Sequence, residues 1–338
     1  MSRNIRDYLG ITLKGMAMGA ADVVPGVSGG TIALITGIYK ELISTISSFN
    51  LKVIKTIRTK GIVAAFKSVN GAFLSFLFLG IIISVLSLAK VFHYLLDNEP
   101  VLVWSFFFGL IIASVWLIGK MVKSWDVKRV SILIIGAIIS FGITVISPAH
   151  GPDTLWFLFI AGMLAFIAMI LPGISGSFIL LLLGAYQLVL GKVNGMLDAI
   201  SYGDSALLTS SVIALVVFVL GGITGLFSFS RVLKWMFEKY ESLTLALLTG
   251  FLIGSLNKVW PWKQTTEVWF KHAGSADEKA FPLIQKNVLP SDYSFITNAD
   301  QQLGLVSKDP QLIAAIGLAL AGFFVIFLLE KISVKFQK

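Results

Sequence analysis

Two short Pro/Gly/Ser segments interrupt apolar stretches of this chain. Residues 25–31 read PGVSGGT, and residues 172–178 read PGISGSF. Proline fixes φ and lacks an N–H, glycine permits unusual backbone conformations, and serine or threonine can cap a helix that begins afterwards. Each break therefore predicts a helix start with hydroxyl and unpaired N–H groups, a combination suited to phosphate or carboxylate.

The candidate site residues come mainly from these two breaks. The predicted substrate-binding residues are Ser28, Gly29, Gly30, Thr31, Ser175, Gly176, Ser177 and Arg231, and the helix-breaking residues are Pro25, Gly26, Pro172 and Gly173. Arg231 could hold a lipid phosphate or act as an ordinary interfacial anchor, and Lys90 matches it in the first half of the chain. Alternatively, the glycines and serines of the breaks could serve only to let helices pack closely. The shared flanks of the two copies favour a site.

Two acidic residues are candidates for ion coupling. Asp22 lies three residues before Pro25 in an apolar arm, where a carboxylate is costly. It could carry a coupling proton or bond exposed N–H groups of the break, and Met169 is its counterpart in the second copy. Glu41 is the second candidate, although a solvated pair with Lys40 is the favoured interpretation for it.

Composition indicates a polytopic membrane protein, because 56% of the 338 residues are hydrophobic and only 13% are charged. The net charge of +9 is attributed to basic cytoplasmic loops rather than to nucleic-acid binding. The chain lacks cysteine, and its histidines are not spaced as metal ligands. We therefore predict no metal, no cofactor and no catalytic residue.

The elements that position the breaks are predicted to be helices in an all-α fold. Membrane spans are expected at about 71–89, 101–119, 130–147, 211–230, 242–260 and 311–329. Residues 9–48 and 155–191 each hold two apolar arms around a break. These arms are short for crossing, so both segments are predicted to be re-entrant helical hairpins.

The chain is predicted to consist of two repeats, 1–148 and 149–338. Gly15, Ser28 and Tyr39 match Gly162, Ser175 and Tyr186 after a shift of 147 residues. One hairpin plus three spans per repeat places the second repeat in the opposite orientation, an inverted repeat typical of transporters. Basic residues in alternate loops predict a cell-membrane protein with both termini in the cytoplasm.

Two further segments lie outside this core. Residues 45–68 carry lysines and an arginine among apolar residues, and could form a basic amphipathic helix on anionic lipid or an ordinary basic loop. Residues 261–310 form a polar outer loop that is expected to be partly ordered, and its role cannot be read from the sequence.

The chain resembles a bacterial and archaeal membrane family, the polyprenyl-phosphate transporters of the PopT type. The matching segments are MAMGAADVVPGVSGGTIALITGIYKELI at 16–43, LPGISGSFILLLLGAYQLVL at 171–190 and GSLNKVWPW at 254–262. The resemblance implies return of undecaprenyl phosphate from the outer to the inner leaflet after cell-wall glycan polymerisation. It implies a polyprenyl-phosphate lipid and membrane lipids as partners, and leaves a homo-oligomer open. The site residues that it implies are Asp22, Pro25, Gly26, Ser28, Gly29, Gly30, Pro172, Gly173, Ser175, Gly176 and Ser177.

Two other functions remain open. Undecaprenyl-diphosphate phosphatases share a similar motif, PG-x-S-R-S, on a re-entrant hairpin, but Gly29 and Gly176 occupy its arginine position here. No E-x-x-x-E pair occurs in a predicted membrane segment. Without the arginine and the acidic pair, a diphosphate has neither charge neutralisation nor a metal or base to assist its hydrolysis. A channel or carrier for a small anion could use the same helix starts.

Overall fold

The computed structural model describes residues 3–23, 27–146, 151–271, 279–305 and 308–336. Most of these residues are helical, and several helices are apolar, which confirms a polytopic helical protein. The first helices are α1 (Ile5–Val23), α2 (Gly29–Ile35), α3 (Tyr39–Ser47), α4 (Leu51–Ser68), α5 (Gly71–Asn98), α6 (Pro100–Met121) and α7 (Val127–Val145). They are followed by α8 (Leu155–Ile170), α9 (Gly176–Leu182), α10 (Ala185–Tyr202), α11 (Ser205–Ser255), β1 (Lys263–Lys271), β2 (Lys279–Asn287), α12 (Asn298–Gln302) and α13 (Leu312–Phe336).

Within the described ranges, four helices are long and apolar enough to cross a membrane: α5, α6, α7 and α11. The pair α9 and α10 would count as a fifth span, although the chain bends by 103° between them. Helix α8 and the stretch Leu312–Leu328 of α13 are apolar but shorter. The predicted spans 71–89, 101–119 and 130–147 fall on α5, α6 and α7, except that residue 147 lies outside the described residues.

The predicted spans 211–230 and 242–260 both fall largely on α11, which has 51 residues. A straight helix of that length would measure about 77 Å, far more than the ~30 Å hydrocarbon core of a bilayer. Tyr240 interrupts it with non-helical backbone angles (φ −136°, ψ 42°). The break divides α11 into one arm at 205–239 and another at 241–255.

Close glycine contacts join α1 to α5 and, at matching positions, α8 to the first arm of α11. A Cβ atom at Gly15 would lie 2.2 Å from the carbonyl oxygen of Leu77, and one at Gly162 would lie 2.1 Å from that of Phe218. Small residues let the helix backbones approach this closely in membrane proteins. Helix α1 therefore packs on α5 in the same way as α8 packs on the first arm of α11.

A second set of glycine contacts connects the two halves. A Cβ atom at Gly109 of α6 would lie 1.8 Å from the carbonyl oxygen of Ala319 in α13. One at Gly250, in the second arm of α11, would lie 2.1 Å from the carbonyl oxygen of Leu133 in α7. Gly109 and Gly250 differ by 141 residues, so each half contributes a helix that packs on the last helix of the other half.

The core lies around α2, which is buried along its whole length. Tyr39, Phe73, Ile111 and Leu248 bring α3, α5, α6 and the second arm of α11 into the same apolar cluster. The short helix that follows the first break is therefore surrounded by protein.

The two segments outside this core, 45–68 and 261–310, contain regular secondary structure. The predicted segment 45–68 covers the end of α3 and all of α4, where Gly61 (φ +82°) divides the helix and Ile62 and Val63 are exposed. The prediction that the fold is all-α is wrong for 261–310, because β1 and β2 form an antiparallel hairpin in which Lys263 pairs with Asn287. Its sequence KQTTEVWFK is rich in β-branched and aromatic residues, which favour strands.

Candidate functional site

The described parts of the two breaks share a helix of equal length and a glycine that ends it. Ser28 precedes α2 and Ser175 precedes α9, and each helix has seven residues. Each helix is followed by a glycine in the left-handed region, Gly37 (φ +76°) and Gly184 (φ +69°). Glycine adopts this conformation without a steric penalty, which explains why both helices stop at the same repeat position. Pro25 and Gly26 lie outside the described residues.

The breaks contact each other directly. The Ser28 hydroxyl donates a hydrogen bond to the carbonyl oxygen of Leu171 (3.1 Å), and the Gly173 N–H donates to the Thr31 hydroxyl oxygen (3.0 Å). The Tyr39 hydroxyl donates to the carbonyl oxygen of Ile170 (2.6 Å). These bonds satisfy backbone groups that are left without partners where α8 ends. Side chains of the first break thus hold the backbone of the second.

A carboxylate occupies the start of α2. The Gly29 N–H donates to Asp22 Oδ1 (2.6 Å), and the Gly30 N–H donates to the Ser28 hydroxyl oxygen (3.1 Å). A Cβ atom at Gly29 would lie only 2.4 Å from Asp22 Oδ2. An acid at this position stabilises the positive end of the helix. Of the two roles that the sequence allows for Asp22, bonding to the break is therefore present, and proton coupling stays a prediction.

The second break has a different side chain beside the start of its helix. A Cβ atom at Gly176 would lie 2.5 Å from Met169 Cγ, so the methionine packs where Asp22 packs in the first break. The hydroxyls of Ser175 and Ser177 pair with each other (2.9 Å), and Ser175 accepts no hydrogen bond from a backbone N–H of α9. The start of α9 therefore has hydroxyl groups beside it but no carboxylate counterpart of Asp22.

Arg231 makes its hydrogen bond away from the two breaks. Its guanidinium donates to the carbonyl oxygen of Phe49 (3.1 Å), just after the end of α3. The Phe49 ring stacks on Phe227, with ring centroids 5.5 Å apart. This contact ties the first arm of α11 to α3, as an anchoring residue would.

Glu41 also lies in a separate cluster. Arg3 donates to both of its carboxylate oxygens (2.6 Å each), and Asn70 donates to Oε1 (2.7 Å). Lys40 instead pairs with Glu241. The expected Lys40–Glu41 pair is therefore wrong, because tertiary packing gives each side chain a partner from another element.

Sequence analysis missed Lys258 as a site residue. A small cavity joins it to Gly173, Ser175 and Phe178 of the second break. Its Nζ atom lies 4.0 Å from the ring centroid of Phe178, a cation–π contact. The available signal was a lysine immediately after an apolar span, in the segment GSLNKVWPW. In the described parts of the chain, no three His, Cys, Asp or Glu side chains converge as metal ligands would.

Helices interrupted inside an apolar bundle, with polar groups meeting at the interruptions, define a class of multi-pass membrane proteins with discontinuous helices. A family model, VCA0040-like, described as undecaprenyl phosphate translocase-like, matches residues 18–276. The chain belongs to this family.

Curated relatives extend the comparison to the whole chain. A polyprenyl-phosphate transporter of Vibrio cholerae serotype O1 is 42% identical over 99% of this chain and 100% of its own length. A polyprenyl-phosphate transporter of Staphylococcus aureus is 35% identical over 76% of this chain and 88% of its own length. No solved structure matches the chain.

Proposed function

We propose that this protein transports polyprenyl phosphate, with undecaprenyl phosphate as the substrate, between the leaflets of the cell membrane. The observation that carries the proposal is the meeting of the two breaks, where Ser28 and Thr31 bond the backbone around Leu171 and Gly173. Discontinuous helices that meet in this way are typical of transporter substrate sites. The names of the two curated relatives support the same substrate.

The proposed architecture is an inverted repeat of residues 1–148 and 149–338. The matched glycine contacts at Gly15 and Gly162, and at Gly109 and Gly250, support two equivalent halves. Helix α9 is about 10 Å long and is followed by a 103° bend, which supports a re-entrant hairpin rather than a crossing. Both termini face the cytoplasm in this arrangement, and the β1–β2 hairpin faces outward.

In the proposed mechanism the phosphate group binds between the breaks while its prenyl tail stays in lipid. The hydroxyls of Thr31, Ser175 and Ser177 replace water that the phosphate loses on leaving the interface. Without such partners, an anion in hydrocarbon would meet a prohibitive desolvation barrier. Rocking of one repeat against the other then opens the site to the opposite leaflet.

Asp22 is proposed to couple transport to protons. Its ionised carboxylate occupies the start of α2 and would repel an incoming phosphate, whereas its protonated form would not. For transport from the outer to the cytoplasmic leaflet, the inside-negative potential opposes the anion by about 2.3 kcal/mol per charge per 100 mV. A co-transported proton offsets part of this cost.

Transport is proposed to proceed without hydrolysis, so the protein is not an enzyme. The test is leaflet-resolved movement of undecaprenyl phosphate in proteoliposomes, with phosphate release from undecaprenyl diphosphate recorded in parallel. Movement without release is expected. Release of phosphate would instead identify a phosphatase, and uptake of inorganic phosphate without lipid movement would identify a small-anion carrier.

A further inference from the structure

A cavity of about 350 Å³ lies between the helix bundle and the β1–β2 hairpin. The end of α7, α9, the segment after α11 and β2 form its walls. Its cationic lining residues are Lys258, Lys263 and Lys286. Among the described residues that line it, none is acidic. The lining therefore supplies three amino groups and no acidic counter-charge.

Lys263 is held in surroundings that are unusual for an unpaired ammonium. Lys263 is only 7% exposed, and its Nζ atom has no hydrogen-bond partner in the described part of the chain. That atom lies 3.5 Å from the ring centroid of Trp104. Burial lowers the pKa of Lys263 well below its usual range, and the nearby charge of Lys258 lowers it further. Lys263 also lines a second cavity on the side of Trp104, together with Glu99 and Asp309, so it borders both cavities. Buried lysines are normally paired, and an anion bound beside Lys258 would satisfy this group from the side of the first cavity.

The backbone around Lys258 is fixed in place. Asn257 donates from its side chain to the Thr144 hydroxyl oxygen (2.7 Å), and Asn287 donates to the Asn257 carbonyl oxygen (2.7 Å). These bonds tie the residue before Lys258 to both α7 and β2. In the described part of the chain, Lys258 and Lys286 donate no hydrogen bond to the carbonyl groups at the end of α7, so they do not cap that helix.

We propose that this cavity binds a phosphate monoester and is the site where the lipid headgroup docks on the face that carries the β-hairpin. The inference rests on the proposed function and adds a second binding position to it. The volume admits a phosphate with several waters, at ~30 Å³ of liquid volume per water. Phe178 and Lys258 also line the small cavity at Ser175, so the docked phosphate lies next to the second break.

The proposal is tested by ligand binding to the purified full-length protein in detergent. The probes are farnesyl phosphate, farnesol and inorganic phosphate, and the variants are Lys258→Gln and Lys286→Gln. Each variant is expected to weaken farnesyl phosphate binding at least tenfold and to leave farnesol binding unchanged. Lys192→Gln is the matched control, because Lys192 pairs with Asp153 (2.7 Å) and does not line the cavity.

Lys286 is exposed, so its substitution should leave the fold intact, and Lys286→Arg is expected to retain binding because it keeps the charge. Unchanged farnesyl phosphate affinity in both glutamine variants would overturn the proposal. Equal affinity for inorganic phosphate, with the same loss in the variants, would overturn the lipid assignment and identify a free-phosphate site.

Failure of this inference can be distinguished from failure of the proposed function. If the unmodified protein moves undecaprenyl phosphate in proteoliposomes and the lysine variants bind and move it equally well, only the docking cavity is wrong. If the unmodified protein moves no lipid, the proposed function itself is wrong.

Discussion

Asp22 Oδ1 accepts a hydrogen bond from the Gly29 N–H at 2.6 Å, and the described residues of the second break hold no equivalent bond. Met169 packs against Gly176 at the equivalent position. One break therefore contains its own anion, whereas the other presents the Ser175 and Ser177 hydroxyls without one. Such an asymmetry would let two similar half-sites treat an anionic ligand differently.

Gly29→Ala is expected to reduce undecaprenyl phosphate transport at least tenfold. The new Cβ atom would lie 2.4 Å from Asp22 Oδ2, so the carboxylate must leave the start of α2. Transport is measured in proteoliposomes at matched protein content. Gly10→Ala is the control, because nothing lies within 4 Å of a Cβ atom at Gly10. Normal transport by Gly29→Ala would contradict a role for the Asp22 contact.

Asp22→Asn is expected to lower transport and abolish its pH dependence. The amide oxygen can still accept the Gly29 N–H bond, so the break is retained, but the side chain no longer exchanges a proton. Transport is measured across a series of pH values with and without a proton gradient. Full transport with the pH dependence of the unmodified protein would show that Asp22 does not carry the coupling proton.

Thr31→Val is expected to lower the free energy of unfolding by about 1–3 kcal/mol, because it removes the acceptor of the buried Gly173 N–H. The shift is measured as a lower Tm in detergent. Thr59→Val is the control, since the exposed Thr59 hydroxyl bonds only the preceding turn of its own helix. Equal Tm values for the two variants would mean that the contact between the breaks contributes little to stability.

Phosphate binding in the lysine cavity is expected to take up protons at pH 8. Burial holds the pKa of Lys263 low in the free protein, and a bound anion raises it, so affinity falls as pH rises. The other titratable groups facing the cavity are Lys258 and Lys286. The phosphate monoester has a second pKa of ~6. At pH 8 it is already a dianion, so it contributes nothing to the proton uptake.

Proton uptake is measured by calorimetry of farnesyl phosphate binding in buffers of different ionisation enthalpy. Lys263→Met keeps an apolar stem of similar length against Trp104 and removes the titrating group. It is expected to bind with reduced proton uptake, and the remaining uptake is assigned to Lys258, because burial lowers the pKa of Lys258 to about 8. Unchanged uptake in this variant would assign the titration to another group.

The membrane class, the helical spans and the two breaks could be predicted from the sequence, because each depends on residues that are neighbours along the chain. Hydropathy identifies an apolar helix, and Pro, Gly and Ser interrupt it wherever they occur. The equal lengths of α2 and α9 follow in the same way from the matched glycines Gly37 and Gly184. The strands β1 and β2 within 261–310 were not predicted from the sequence.

The partners of the polar groups were decided by the tertiary structure alone. Ser28 bonds Leu171 across 143 positions of the chain, Lys40 pairs with Glu241 rather than Glu41, and Lys258 lies on Phe178. No local pattern contains these contacts, because a polar side chain in a packed bundle takes whichever partner the helix crossings bring within reach. The sequence by itself therefore determined where the chain breaks, whereas packing decided what meets at each break.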